Sequence, residues 1–268
     1  MNPAVNGLSL YTAAFALALA RSAAFVMALP AIGSRTTPAM VKSALALALA
    51  VLVMVNQGAT LPGSTAAGLA SREWSAWLGL GLAMLREVII GAFLGLLFEL
   101  IVTPARIAGE YLNQETGLTF GELVAPTGAP STGPFSGIFE ALAMLTIFGL
   151  DLHHLFFRAW EGSFAWFPLG EYDLRLPRMD AIAGRVQTAQ ASGLMIVAPL
   201  GLILFLSTIL LVLLTRVAPA LNLYTVGFPL RLALGIMGLM VFMSNVGTNL
   251  VRVIWNHAHA LPHILGGG

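Results

Sequence analysis

Apolar residues gather along the chain into stretches at about 8 to 32, 39 to 55, 74 to 103, 135 to 168, 193 to 215 and 228 to 255. Each is followed by Gly, Pro or charge, and the pattern predicts about six helices, some long enough to be broken. Breaks are expected at Leu29 to Pro38, Asn56 to Gly68, Arg106 to Pro134, Gly170 to Asp180 and Ala218 to Pro229. Trp74, Trp77, Trp160, Trp166 and Trp255 fall near segment ends, as aromatics at a membrane interface do. No Lys or Arg precedes Arg21, so the start lacks the basic leader of a cleaved signal peptide, and Leu8 to Ile32 reads as a first, retained helix.

Composition sharpens this into a fold class: all-α, polytopic and membrane-assembled. Of 268 residues 58% are hydrophobic and only 9% charged, with a mean hydropathy of +0.87, whereas soluble domains carry about 25% charged residues. The net charge is +1 and Lys42 is the single lysine, so no basic face exists for nucleic acid. With no cysteine there is neither a disulfide nor a thiolate metal site.

Charge placement complicates a simple set of spans. Only the 193 to 215 stretch is free of charge over a membrane-spanning length. The others contain Arg21, Arg86, Glu87, Glu99, Glu140, Asp151 and Arg158. Each ionised group at the centre of a lipid-facing helix costs roughly 2.5 to 3.5 kcal/mol on insertion scales, so these side chains are expected to face protein or water. Basic loop residues occur on both sides of any simple topology and fix no orientation. Gly91 and Gly95 in "GAFLG" form a small-xxx-small surface for close helix packing, and Gly235 and Gly238 a looser one.

Enzymatic signatures are missing: no serine elbow, HExxH pair or phosphate-binding loop occurs. His257, His259 and His263 have ligand-like density, but i, i+2 spacing does not share a helical face. Adjacent His153 and His154 are expected to diverge by about 100° on a helix, one of them facing the interior. No cofactor, metal or catalytic group is assigned.

The centre of the chain is unlike the rest. In "RIAGEYLNQETGLTFGELVAPTGAPSTGP", Arg106 to Pro134, a charged helical turn runs into Gly and Pro. If 99 to 117 is helical, Glu99, Arg106, Glu110 and Gln114 fall on one stripe, with Arg106 and Glu110 paired at i, i+4 and Pro104 placed to kink it. Two readings of this polar seam stand: an ion pair that fixes helix position, or the wall of a water-filled path. From Phe120 the periodicity stops, and Gly121, Gly128, Gly133, Pro126, Pro130 and Pro134 make a loop. Such backbone at membrane depth must be buried in protein or line a cavity. With Phe120, Glu122, Leu123 and Val124 at its head, it reads either as a stopper in a pore or as a surface connector.

Those residues resemble a known family. "RIAGEYLNQETGLTFGELVAPTG" is similar to the "AGE-x-x-x-x-Q-x-G-L-S-F" segment of the FliR family, the flagellar export-gate subunits and their injectisome counterparts. "PAIGSRTTPAMVK", "LTIFGLDLHHLFFRAWEGSFAWFPLG" and "RVAPALNLYTVGFPLRLALG" agree in order, the last through Pro219, Asn222, Gly227, Phe228 and Pro229. "LNQETG" leans toward the injectisome branch, and Asp151-Leu152-His153 stands where flagellar members often have Asn-Gly-His.

The resemblance implies a non-enzymatic subunit of a type III export gate in the bacterial inner membrane, within the flagellar basal body. Its implied partners are FliP-like and FliQ-like sister subunits, an FlhB-like switch subunit, and unfolded protein substrates. It further implies an N-terminal helical region, residues 1–185, like the larger sister and containing loop 118–134. A C-terminal hairpin, residues 186–268, is implied to be like the smaller one, and Phe120 to Pro134 a plug. A secondary transporter using Glu99, Glu140 and Asp151 for proton coupling is the alternative from another class, although no inverted repeat is visible.

Overall fold

A computed structural model describes residues 3–30, 32, 37–57, 74–119, 133–170, 179–218 and 223–259. Among them are seven helices and no strand: α1 (Pro3–Ala28), α2 (Ala39–Gln57), α3 (Trp74–Thr116), α4 (Pro134–Gly149), α5 (His153–Trp166), α6 (Met179–Val217) and α7 (Leu223–His259). Five are long and apolar enough to cross a membrane, namely α1, α2, α3, α6 and α7, or six spans if α4 with α5 is one broken span. This matches the all-α class and the count of about six.

Boundaries depart from the sequence reading in four places. The first helix ends at Ala28 rather than Ile32. The 135 to 168 stretch is interrupted at Leu150 to Leu152, where Asp151 takes a left-handed φ of 55°. The break expected over 218 to 229 is confined between Val217 and Leu223, because Gly227, Phe228 and Pro229 lie in the opening turns of α7. Pro229 is the seventh residue of α7 and lies inside it, where it forfeits the bond that an N–H there would make to the Thr225 carbonyl. Pro219 and Asn222 lie outside the described residues. Finally, α3 runs through Pro104 as one helix of 43 residues, about 65 Å at 1.5 Å per residue. That is roughly twice the 30 Å of a hydrocarbon core, and at the tilts of about 0–40° that spanning helices adopt, α3 is longer than the core is thick.

The chain folds as two compact units. The first contains α1, α2, the start of α3 as far as Glu99, and α5. Here Gly91 and Gly95 lie against α1: a Cβ on Gly91 would sit 3.1 Å from the Ala24 Cβ, and one on Gly95 would sit 3.0 Å from the Phe25 carbonyl oxygen. Phe98 stacks on Phe156 at 4.2 Å between ring centres and meets Phe25 edge-on at 6.0 Å.

Within this apolar packing three charges are buried: Arg21, Arg86 and Glu87. Arg21 donates to Glu87 Oε2 from Nε at 2.6 Å and lies 2.5 Å from it through Nη2. It also donates to the Phe167 carbonyl at 2.7 Å and to Ser163 Oγ at 3.3 Å, with the Phe164 ring 4.2 Å from its Cζ. Arg86 donates to the Pro168 carbonyl at 3.1 Å and to Glu87 Oε1 at 3.5 Å, and Glu87 Oε1 accepts the Gly170 N–H at 3.4 Å. Three of the seven charges that hydropathy could not place in lipid are thus held against one another and against the carbonyls that follow α5.

The second unit holds the rest of α3 with α4, α6 and α7. α6 and α7 pack along one another and α4 rests on α7. Tyr111 of α3 occupies the space over Gly201 of α6, 2.6 Å from where a Cβ would stand.

Three outcomes follow for the purified protein in detergent. Gly91→Leu drives a side chain into the α1 backbone at Arg21 and lowers the thermal midpoint by an overpacking cost of about 1–3 kcal/mol or more. Gly137→Ala, with nothing within 4 Å, leaves it unchanged or raises it by about 0.5–1 kcal/mol through helix propensity. Glu87→Leu strands Arg21 in the core and costs about 3–5 kcal/mol, whereas pairing it with Arg21→Met recovers part of the loss; chemical denaturation of the single and double variants against the parent measures the difference.

Candidate functional site: the base of the central segment

The end of α3 is set by a glycine. Gly117 has a φ of 83°, its N–H reaches the Gln114 carbonyl at 3.1 Å, and the Leu118 N–H reaches the Asn113 carbonyl at 3.0 Å. That pair of bonds is the Schellman stop, which needs a residue without a Cβ at the left-handed position. Thr116 Oγ1 returns to the Leu112 carbonyl at 2.7 Å. α4 starts with Pro134 in its first turn and Gly133 as its N-cap, with no side-chain cap of its own. Gly133 and Pro134, read from the sequence as the end of the loop, are therefore the start of a helix, as proline's fixed φ and missing N–H favour.

The uncapped start of α4 is served from α3. Asn113 Oδ1 accepts the Phe135 N–H at 3.0 Å, and Asn113 Nδ2 donates to Ser136 Oγ at 2.8 Å. Ser136 Oγ donates to Glu110 Oε2 at 3.0 Å, and Asn113 Nδ2 also lies 3.5 Å from that oxygen. Asn113 and Ser136 are buried. Gly109 permits the approach, for a Cβ there would stand 2.7 Å from the Ser136 nitrogen. One turn further along α4, Arg106 Nη2 donates to Glu140 Oε1 at 3.0 Å, both side chains being part-exposed. Asn113 thus ties both flanks of residues 120 to 132, its carbonyl closing α3 and its amide opening α4.

Of the polar seam, Arg106 and Glu110 meet α4 through Glu140 and Ser136. Gln114 is exposed and Glu99 half-buried. The sequence reading paired Arg106 with Glu110 along one helix; the structure gives Arg106 a partner in Glu140 and Glu110 one in Ser136, both from α4. Asn113 and Ser136 were missed. The available signal was Asn113 three residues after Glu110, on the same helical face. Phe120, Gly121, Glu122, Leu123, Val124, Pro126, Gly128 and Pro130 lie outside the described residues.

Chemically the arrangement holds rather than reacts. The Ser136 hydroxyl is used as donor to Glu110 and acceptor from Asn113, leaving no base and oxyanion donor arranged around a nucleophile. Elsewhere, the rings of His153 and His154, at the start of α5, lie 4.3 Å apart instead of diverging. His257 and His259 donate from Nδ1 to the carbonyls of Val253 and Trp255, each at 2.9 Å; His263 lies outside the described residues.

Residues 12–256 match the family described as Bacterial export proteins, family 1. The flagellar biosynthetic protein FliR of Caulobacter vibrioides is 30% identical over 250 residues, covering 92% of this chain and 94% of that protein. FliR of Bacillus subtilis is 28% identical with 86% of each chain covered, and FliR of Escherichia coli is 27% identical with 81% and 79% covered. Across nearly its whole length, then, the chain is a member of family 1 of the bacterial export proteins, the family of FliR.

Proposed function

We propose that this chain is a membrane subunit of the flagellar type III protein export gate, in the bacterial inner membrane at the flagellar basal body. Together with FliP-like and FliQ-like sister subunits and an FlhB-like switch subunit, it forms the closed entry pore for unfolded flagellar proteins. The observation that carries this is the family match over residues 12–256, joined by relatives named for flagellar biosynthesis. The role is one of assembly and passage rather than catalysis. The division into an N-terminal region, residues 1–185, and a hairpin, residues 186–268, belongs to the same reading, and the packing of α6 along α7 supports the hairpin.

In this reading residues 120 to 134 limit leakage through the closed pore. What supports it is the clamp at their base: Glu110, Asn113 and Ser136 hold the two flanks together at hydrogen-bonding distance. A plug must be fixed at its ends if its middle is to be displaced and return.

Deleting the gene abolishes both filaments and exported flagellar proteins in the medium, and complementation restores both. Normal filaments with lost effector secretion assign the chain to the injectisome branch, and no secretion defect at all returns the proton-coupled transporter. Deleting Gly121 to Ser131 leaves assembly intact and raises small-solute leakage, read by dye or ion flux in the assembled gate; unchanged permeability removes the plug. Glu110→Ala and Asn113→Ala loosen the same base, the latter leaving the buried Ser136 and the Phe135 N–H short of partners at about 1–3 kcal/mol. Normal export with no added leak in either variant makes the seam purely structural.

A further inference from the structure

Asp151, Leu152, His153 and His154 join the end of α4 to the first turn of α5. One ligand atom from each of Asp151, His153 and His154 can be chosen so that all three lie within 4.8 Å of one another. Among the described residues this is the one place where three side chains of the His, Cys, Asp and Glu types gather so closely. They gather against the ordinary run of a helix: successive side chains diverge by about 100°, yet the two imidazole rings lie 4.3 Å apart. Asp151 holds a left-handed φ of 55°, a conformation that Asp and Asn tolerate better than other side chains. The turn is fixed on both sides of it. The Leu150 and Asp151 N–H groups donate to the carbonyls of Thr146 and Phe148 at 3.0 and 3.2 Å, and the Leu155 N–H donates to the Leu152 carbonyl at 3.0 Å. Leu152 is buried, whereas Asp151 and His154 are exposed and His153 is half-buried.

Two imidazoles with one carboxylate are a donor set for a borderline divalent metal, zinc above all, with cobalt, nickel and copper in the same class. Calcium and magnesium are poorly served by it, since they take oxygen ligands, and no thiolate is present to select a softer ion. At metal to ligand lengths of about 2.0–2.2 Å, the ligand atoms around a tetrahedral ion stand about 3.4 Å apart. Closing from 4.8 Å or less to that spacing asks for side-chain rotations only. A ring donating to the carboxylate would account for two of the three groups but not for the third. Exposure of Asp151 and His154 leaves an entry path and room for water in the remaining coordination. Arg158, one turn past His154 on α5, adds a like charge, so the site is weaker than a closed structural zinc site.

We propose that Asp151, His153 and His154 bind one divalent transition metal ion of the zinc class, with water completing its coordination. The ion clips the turn between α4 and α5: because it binds the arrangement in which Asp151 is left-handed, it stabilises that arrangement by mass action. This goes beyond the export reading and does not rest on it, for the site is made by four consecutive residues whatever the chain assembles with.

The test uses the full-length chain purified in detergent through an affinity tag that contains no histidine. It is stripped with a chelator, then titrated with Zn2+ by calorimetry and with Co2+ by visible absorption. The expected result is one Zn2+ per chain, a visible Co2+ spectrum of bound nitrogen and oxygen ligands, and a thermal midpoint that rises with Zn2+. Asp151→Asn keeps a residue tolerant of the left-handed φ, and His154→Ala changes an exposed position. Each weakens Zn2+ binding by about tenfold or more, since removing even a group that only orients a ligand costs that much. Both lose the rise in thermal midpoint while their metal-free midpoints match the parent's, which tells a lost site from a lost fold. His259→Ala, at an exposed position on α7, leaves binding at the parent level. Absence of Zn2+ and Co2+ binding below millimolar concentration overturns the proposal, as does binding that survives both Asp151→Asn and His154→Ala. So does binding that His259→Ala abolishes, or displacement of Zn2+ by an equal concentration of Mg2+, which marks a nonspecific carboxylate site.

Discussion

Everything in the first unit depends on keeping two guanidinium groups and one carboxylate out of both lipid and water. The ion pair of Arg21 with Glu87 neutralises one cation, but a carboxylate has two oxygens and the guanidinium groups have more donors than it can accept. The remainder is met by Ser163 and by the carbonyls of Phe167 and Pro168. That requirement decides where α5 can end, because the turn after it must offer carbonyls to Arg21 and Arg86 and an N–H to Glu87. An apolar interior would hold α1 against α3 at many registers. A buried charge network holds it at one, which is what the close approach at Gly91 and Gly95 then exploits.

The second unit solves a different problem with neutral groups. A helix beginning with Gly and Pro offers no side chain to its own first N–H groups, and a helix ending in a left-handed glycine must turn at once. Asn113 answers both, and the result is a short polar staple at a place where the chain leaves regular structure. Here the amide gives direction where the charge pair gives strength: an amide carries a donor and an acceptor in one plane, so it can serve a backbone N–H and a hydroxyl together.

Much of this was legible in the sequence, and the illegible remainder has a physical pattern. Helix class and number came from the apolar runs, and the need for partners at Arg21, Arg86 and Glu87 came from the cost of ions in lipid. Which groups would meet was not readable, since Arg21 finds Ser163 and Phe167 more than 140 residues away. The seam of Arg106 and Glu110 was found because its spacing is periodic along one helix; Ser136 and Glu140 escaped because they belong to another helix, across a stretch with no period at all. Pro134 was read as the last residue of the loop although it opens α4, because the residues that start a helix are also the ones that fill loops.

The Arg21 network also sets a schedule. Arg21 and Glu87 are 66 residues apart, and Arg86 lies 82 residues before Pro168. At roughly 5–20 residues per second, a ribosome needs about 4 to 16 s between delivering the second arginine and delivering the carbonyls that complete the shell. For that interval the trio of Arg21, Arg86 and Glu87 carries a net charge of +1 and lacks the Phe167 and Pro168 carbonyls that later serve it. The unit closes only when α5 and the turn after it arrive.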